Sequence, residues 1–569
     1  MRFVDNTTIN STSHEYRFHR VEAFAYRLVR HVAHSYTILI LFCALWIVAM
    51  SLLVNEAWYS ASSSIGTPTP IGCTSTYWGR NGDCGLDGKA CSPFDNTTLV
   101  FRCPAGCQDV QLLNDRTVGD QAVIYQPLVI GGGDDTKTYH GESWICAAAI
   151  HRGLQVSNKR GGCGVLRQTG QFTNYLSSRS GNGWDFTSLS FNSVFPSSYV
   201  FEDNFTFTSC KDIRWEILAF NVVMTFILVF FLRPPAPALF WILVCVGFWH
   251  ISLASEPRSN PPAISDAFGL FLPTLFVCYA FWRFAWRHTL PWFGDKVIEM
   301  TVWTLGPWWV GVLVDSTLGW IPIDRLTGSD IGKRAGGIAA LVVIILIVAA
   351  LVLYQAWQLR RANRLITILR WYILGGIVIG ILASIPGLNL RFHHYILGIV
   401  FMPGTAIPGN PTRASLIFQA FLLGMFLNGV ARWGYDSLLQ TDAELQGDAT
   451  FGTPLPSFSM LSNSTSLDPT SSSPTAIAPI SFSNGTLDVR WQPIPSNISN
   501  LFNGYSLLIN DVLRYQGGMD QTDFNATGLR TDLPYYFRLA YQLGSTVGDF
   551  TRAAIWQNGT WSDPEPGRT

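Results

Sequence analysis

The sequence predicts a multi-domain chain: a polytopic α-helical membrane bundle of about nine spans, a disulfide-rich α+β domain in the loop after the first span, and a small C-terminal β-sandwich. Three observations carry this expectation. Charged residues make up 13% of the chain and hydrophobic ones 48%, where a soluble globular chain carries roughly 25% charge. Eight of the 11 cysteines fall in one polar loop. The C-terminal stretch alternates apolar and polar residues between Gly, Asn and Pro turns. The composition excludes a fully soluble or disordered chain, and the balance of 38 basic against 38 acidic residues gives no field that points to nucleic acid.

Residues 1–35 form a polar N-terminal tail. Within it Phe18, Val21, Phe24, Ala25, Leu28, Val29 and Val32 recur at helical spacing, opposite Arg17, Arg20, Arg27, Arg30 and His31. This amphipathic helix is expected to lie on anionic cytosolic lipid or to pack on the cytosolic ends of the bundle. In hydrocarbon the backbone must satisfy its own hydrogen bonds, so apolar runs near 20 residues read as helices. Such runs are 36–54, 213–232, 238–254, 267–286, 297–314, 335–357, 365–385 and 414–430. A ninth, 393–407, is short, polar at its start and interrupted by Pro403. The first run follows a 35-residue lead and is too long for a signal-peptide core, so it reads as a retained anchor.

The arginines before the first run place the N-terminus in the cytosol. Glycosylation sequons at Asn96 and Asn204 in the following loop, and at Asn463, Asn484, Asn497, Asn525 and Asn558 in the tail, put loop and tail on the other side. An even number of crossings must separate the two, so the ninth run is expected to cross. Arg233, Arg283, Arg287, Arg360, Arg361, Arg364 and Arg413 then all fall on cytosolic ends. Asn6 and Asn10 match the sequon by chance on the wrong side.

Cys43, Cys245 and Cys278 lie in apolar runs and read as packing residues. Cys73, Cys84, Cys91, Cys103, Cys107, Cys146, Cys163 and Cys210 share the extracytosolic loop, where an even number implies a disulfide framework, all eight oxidised. Zinc on Cys103 and Cys107 is the disfavoured competitor, because no second paired element follows.

The run Cys103-Pro104-Ala105-Gly106-Cys107, followed by Tyr139-His140-Gly141-Glu142-Ser143-Trp144-Ile145-Cys146-Ala147-Ala148-Ala149-Ile150-His151-Arg152-Gly153, resembles the signature of the LCCL domain over about residues 85–208. The resemblance implies a central helix wrapped by strands, and bonds Cys91–Cys103 and Cys107–Cys146, with Cys73, Cys84, Cys163 and Cys210 in excess of the usual four. On the residues themselves, three alanines let strands approach the helix closely. Ser143 stands where an N-cap is expected and Gly153 where the helix would end. His151 reads as a buried, hydrogen-bonded structural histidine, since no nucleophile is placed against it. The glycine run at 131–133 lacks the Lys-Ser/Thr of a phosphate loop and reads as a turn.

Residues 433–478 are expected to be a Ser/Thr/Pro-rich linker. In 479–569, Leu487, Val489 and Trp491 share one face, as do Tyr535, Phe537 and Leu539. The order Trp491, Pro493, Gly504-Tyr505, Leu529, Tyr535 resembles fibronectin type III with its tyrosine corner. Thr531 and Leu533 stand where that family usually has Pro and Thr. The whole chain resembles the LCCL-domain membrane proteins of fungi, with the domain at 55–212 and an eight-span bundle at 213–432.

Ionisable residues at membrane depth are functional candidates by default. His250, Asp266, His393 and His394 all approach the extracytosolic face in this topology. Together they could hold Zn²⁺ or relay protons, although adjacent histidines point about 100° apart on a helix. Pro403-Gly404 and Pro408-Gly409 mark either a tight turn or a broken helix of the kind that lines a transport site. The expected function is a membrane-anchored binding or scaffold protein that recognises an extracytosolic lipid, glycan or protein. The alternative is a membrane-embedded lipid-modifying enzyme or transporter using those histidines. No cofactor is expected; a bound lipid or sterol is compatible with the bundle, as is a homodimer. The partners are membrane lipids and the extracytosolic ligand, not nucleic acid. The setting is the secretory pathway: plasma membrane, vacuole or endoplasmic reticulum.

Overall fold

The computed structural model describes residues 13–29, 35–181, 183–322, 331, 336–391, 393–409, 411–441, 450–459, 482–483, 485–544 and 546–569. They form two compact units. One comprises Met1–Tyr59 and Ile213–Thr441, the other Ser60–Asp212 and Asp442–Thr569.

The first unit is helical. Its elements are α1 (Ser13–Val29), α2 (Tyr36–Trp58), α3 (Arg214–Leu232), α4 (Ala236–Ser255), α5 (Ile264–Phe293), α6 (Val297–Val312), α7 (Gly337–Arg361), α8 (Leu365–Ala383), α9 (His394–Phe401) and α10 (Arg413–Trp433). Seven of them, α2, α3, α4, α5, α7, α8 and α10, are long and apolar enough to cross a membrane. The nine expected runs differ from these seven at two places. α6 stops after 16 residues, where Leu313 leaves helical geometry, and α9 has eight residues before a 3₁₀ turn at Met402–Thr405 that contains Pro403.

The centre of this unit is α10 packed on α6, with glycines where the backbones meet. A Cβ on Gly311 would lie 2.3 Å from the Phe421 carbonyl oxygen, and one on Gly424 2.3 Å from that of Trp308. Only glycine permits so close a crossing. By contrast α8 buries no residue within the unit.

At the start of α6 the backbone N–H groups of Ile298 and Glu299 donate to the Glu22 carboxylate of α1 at 3.0 and 2.8 Å. These are donors that a helix start leaves without intrahelical partners. Glu299 in turn receives both forks of Arg413 at 2.9 Å. Helix α1 packs through Ala25 and Val29 against Val297, Phe230 and Ile298, while Val21, Phe24 and Leu28 stay exposed. The apolar stripe is therefore split between bundle and surroundings. The side chains of Arg17 and Phe18, and all of Arg30, His31 and Val32, lie outside the described residues.

In the second unit, strands β1 (Thr69–Pro70), β2 (Asp95–Cys103), β3 (Tyr139–His140), β4 (Gly162–Thr169) and β5 (Ser198–Glu202) form a sheet in the order β1-β2-β4-β5-β3. A central helix, Ile145–Arg152, is buried from Ile145 through His151. It ends at Gly153, whose φ of +87° is the left-handed geometry of a helix C-terminus. Ser143 does not cap this helix. Trp144 holds the N-cap position, and the Ser143 hydroxyl exchanges hydrogen bonds with Ile130 N–H and C=O at 2.9 and 3.1 Å. A short two-stranded stem, Ser62–Ser63 paired with Phe207–Thr208, closes the two ends of this domain.

All eight loop cysteines are paired, but not as the resemblance implied. The bonds are Cys73–Cys107, Cys84–Cys91, Cys103–Cys146 and Cys163–Cys210. Cys103 ends β2 facing the central helix and so reaches Cys146. Cys107, past the turn, meets Cys73, and Cys91 closes a local loop with Cys84.

The C-terminal module contains β6 (Phe482–Ser483), β7 (Thr486–Arg490), β8 (Gly504–Ile509), β9 (Val512–Gly518), β10 (Asp523–Ala526), β11 (Tyr535–Leu543), β12 (Ala554–Gln557) and β13 (Thr560–Ser562). One sheet has the order β6-β7-β10. The other runs β9-β8-β11-β12-β13, with Thr546–Val547 paired to β11. Both face a core of Leu487, Val489, Trp491, Tyr505, Leu507, Phe537, Leu539 and Trp556. The module begins earlier than 479. Phe458, assigned by sequence to the linker, is buried in this core and bridges to Trp491, and Asp549 accepts the Thr453 N–H at 2.8 Å. Leu439–Gln440, likewise assigned to the linker, pairs with Asn389–Leu390 in the helical unit.

Candidate functional site: a composite seam in the sheet-rich unit

Tyr139, at the end of its glycine-rich turn, lies over the central helix. Its hydroxyl shares a 2.9 Å hydrogen bond with His151 Nδ1, and His151 Nε2 bonds the Ser178 carbonyl at 2.9 Å. Since that carbonyl can only accept, the ring proton sits on Nε2 and the tyrosine donates to Nδ1. A Cβ on Gly132, where φ is +86°, would fall 2.6 Å from the Tyr139 ring, so the glycine-rich turn is a close-approach device.

His140 is fully buried against Phe195, with ring centroids 3.7 Å apart, and is flanked by Tyr175 and Phe191. Burial, reinforced by the charge of Arg116, holds its pKa well below the ordinary 6.5. Burial also lowers His151, with the Ser178 bond opposing. Between these depressed values and 6.5 the unfolded chain binds more protons than the folded one, so stability is fully present above pH 6.5 and is lost as pH falls below it. The melting temperature of the chain's sheet-rich unit should therefore drop between pH 7.5 and 5. A flat profile, or a drop retained in the double variant His140→Asn, His151→Asn, would contradict this origin.

Beside this core the C-terminal module meets the cysteine-rich domain. The β8–β9 hairpin turns through Asn510 and Asp511, both at positive φ (+50° and +60°), as a two-residue hairpin turn demands. Arg538 on β11 is 2% exposed; it pairs with Asp511 and donates to the Gly119 carbonyl at 2.7 Å. Burial lowers its pKa to about 10, with Glu142 opposing, so it remains charged at neutral pH. Glu142, 1% exposed, pairs with Arg116. Arg80, Asp115, Arg116 and Glu142 from one side, with Asp511 and Arg538 from the other, line a small cleft. Two buried atoms of these lining residues, Glu142 Oε2 and Arg538 Nε, have no hydrogen-bond partner within the described chain.

The four membrane-depth candidates are not assembled. Among the described residues, no three His, Cys, Asp or Glu side chains are arranged to hold a metal ion. Asp266 sits in the first turn of α5 beside the Ser265 hydroxyl. His393 precedes α9 and stacks on Tyr395, and His394 begins that helix. His250 is locked in a chain of bonds. The Trp46 indole N–H donates to Asn221 Oδ1 at 2.7 Å, and Asn221 Nδ2 lies 3.1 Å from His250 Nδ1. An indole can only donate, so the amide orientation is fixed and Nδ1 must accept. A metal-bound histidine usually donates from its second nitrogen instead. Asn96, Asn204, Asn497, Asn525 and Asn558 are all exposed, while Asn463 and Asn484 lie outside the described residues.

A family profile for the LCCL domain matches residues 71–196. The Saccharomyces cerevisiae protein YIL067C, described as uncharacterized, is 31% identical over 538 residues, covering 86% of this chain and 75% of the yeast protein. The chain belongs to the family of that yeast protein. No solved structure matches it. The disulfide-bonded LCCL domain carries Tyr139, His151 and one wall of the seam. Arg538 and Asp511 were hidden in the sequence. Alternation along β11 points Tyr535, Phe537 and Leu539 to the module's core and leaves Arg538 on the face that reads as solvated. The Asn510-Asp511 pair, a turn signature, was the available clue.

Proposed function

We propose that the chain is a membrane-anchored binding protein whose LCCL domain and fibronectin type III-like C-terminal module recognise an extracytosolic lipid, glycan or protein. The observation that carries this reading is the LCCL domain itself, a binding-type module inserted between two apolar helices with its ends closed by the Ser62–Ser63 stem. The fibronectin-like assignment is supported by the two-sheet core around Trp491 and by the Tyr535 hydroxyl, which accepts the Arg530 N–H at 3.1 Å as a tyrosine corner does. In this reading α6 and the segment from α9 to residue 407 also cross, for nine spans, and the exposed sequons carry glycans. The bundle anchors these modules and is in contact with membrane lipid.

Two measurements test it. Glycosidase treatment should increase gel mobility, and protease protection should place residues 450–569 opposite the N-terminus; a tail found on the cytosolic side would overturn the topology. The purified full chain should bind members of a panel of glycans, anionic and neutral vesicles, and secreted proteins, and His393→Ala with His394→Ala should leave that binding intact. A well-folded double histidine variant that lost a lipid-turnover or transport activity of the chain would transfer the assignment to the helical unit.

A further inference from the structure

We infer that the C-terminal module is a constitutive intramolecular partner of the LCCL domain, seated by its Asn510–Asp511 hairpin tip and Tyr536 on an LCCL face made by Gly119, Phe191, Asn192 and Ser193. The ligand then meets one composite surface rather than two modules on a tether, a deduction that rests on the binding role proposed above.

The donor hydrogens of the Asn510 side chain find their protein acceptors only in the docked arrangement. Its Nδ2 donates to Ser193 Oγ at 2.8 Å and to the Val194 carbonyl at 2.9 Å, both in the LCCL domain, while its Oδ1 accepts the Tyr536 N–H at 3.0 Å. An amide has two donor hydrogens, and both are spent on LCCL acceptors. The hairpin tip that presents it is rigid, because the two positive-φ residues match the strand twist.

Tyr536 lies on the face of β11 opposite the module's core. Its ring centroid is 5.6 Å from that of Phe191, and its hydroxyl bonds Asn192. Gly119, at a φ of +60°, lies under the same ring, where a Cβ would come within 3.1 Å. Tyr536 and Val512 belong to the LCCL domain's own apolar cluster. A module that merely hung from the last helix would have no reason to place a tyrosine, an asparagine and a valine on its outer face in register with these partners. The exposed Arg514–Asp87 pair at 3.2 Å at the margin contributes little by comparison. The mixed-charge cleft is walled by both modules, so it exists only while they are docked.

The test is to insert a protease site within residues 442–449 of the full chain and cleave the purified, detergent-solubilised protein. The fragment that begins after the cut should co-elute with the rest on dilution and in high salt, although nothing covalent then joins them. A fragment that elutes separately from the otherwise wild-type chain overturns the inference without any substitution. Two variant pairs locate the surface: Asn192→Ala with Ser193→Ala on the LCCL side, and Asn510→Ala with Tyr536→Ala on the module side. Each should release most of the fragment after cleavage while the uncut variant stays monodisperse with its eight loop cysteines oxidised. Retention in both pairs would show that another surface holds the modules. Release from the wild type leaves the ligand-binding reading standing, whereas a retained fragment on a chain that binds no member of the panel does the reverse.

Discussion

Replacing Cys146 by serine should destabilise the LCCL domain severely and hold the chain in the endoplasmic reticulum. The Cys103–Cys146 bond spans 43 residues and joins the first turn of the buried helix to the end of β2, with both cysteines almost fully buried. Cross-linking removes loop-closure entropy from the unfolded chain, so a loop of this length is worth about 4 kcal/mol, against about 2.5 kcal/mol for the seven-residue separation of Cys84–Cys91. The expected order of damage is thus Cys146→Ser well above Cys91→Ser. Thermal unfolding of whatever is recovered reads it, as does glycan maturation if the sequons are used as proposed. A Cys146→Ser protein that matured and melted like the wild type would contradict the assigned role. Removing both cysteines as Cys103→Ala, Cys146→Ala separates the lost cross-link from the reactivity of an orphaned thiol.

Arg538→Ala is expected to have the next largest effect. Its guanidinium is enclosed with Asp511 and the Gly119 carbonyl, near Glu142 and Arg116. Deleting one partner of such a buried pair leaves the other charge without compensation, at a cost of about 3–5 kcal/mol. Arg538→Lys should recover only part of the loss, because a compact ammonium lacks the planar spread of donors with which the guanidinium reaches both Asp511 and the Gly119 carbonyl. Replacing the pair together, as Arg538→Met with Asp511→Asn, which keeps a turn residue at this positive φ, should be milder than Arg538→Ala alone. Calorimetric unfolding of the full chain would show it, and an Arg538→Ala protein within about 0.5 kcal/mol of the wild type, the range of ordinary surface changes, would mean that the pair is hydrated rather than enclosed.

Much of the architecture is legible along the chain because lipid-compatible helices and a confined set of cysteines are properties of composition and of where residues occur. The apolar runs found α2 through α8 and α10 without any tertiary information. What escaped depends on which surfaces meet. Cys103 and Cys107 stand four apart around one turn, and the sequence does not say which of them faces the helix. Ser143 has the right type and place for a cap, yet Ile130 takes its hydroxyl once the helix is enclosed. Phe458 precedes a stretch poor in apolar residues, so its membership in the sandwich core is invisible until Trp491 is seen beside it. Tyr139, His151 and the seam's Glu142 belong to a motif, whereas Arg538 sits on a strand face that alternation marks as solvent and Asn510 in a turn. Their roles come from docking, which strand periodicity does not encode.

The pairing of Ser62–Ser63 with Phe207–Thr208 leaves the LCCL domain entering and leaving its host chain side by side. Paired strands run about 5 Å apart, so to the two flanking helices roughly 140 intervening residues present the same spacing as a tight hairpin would. The domain is therefore a graft: it can be exchanged, enlarged or excised at that stem while the separation of its two attachment points stays the same. Chimeras cut between residues 63 and 207 preserve the stem's spacing, but Cys163 lies inside that cut and its partner Cys210 outside it, so Cys210 must be replaced or the bond moved along with the domain.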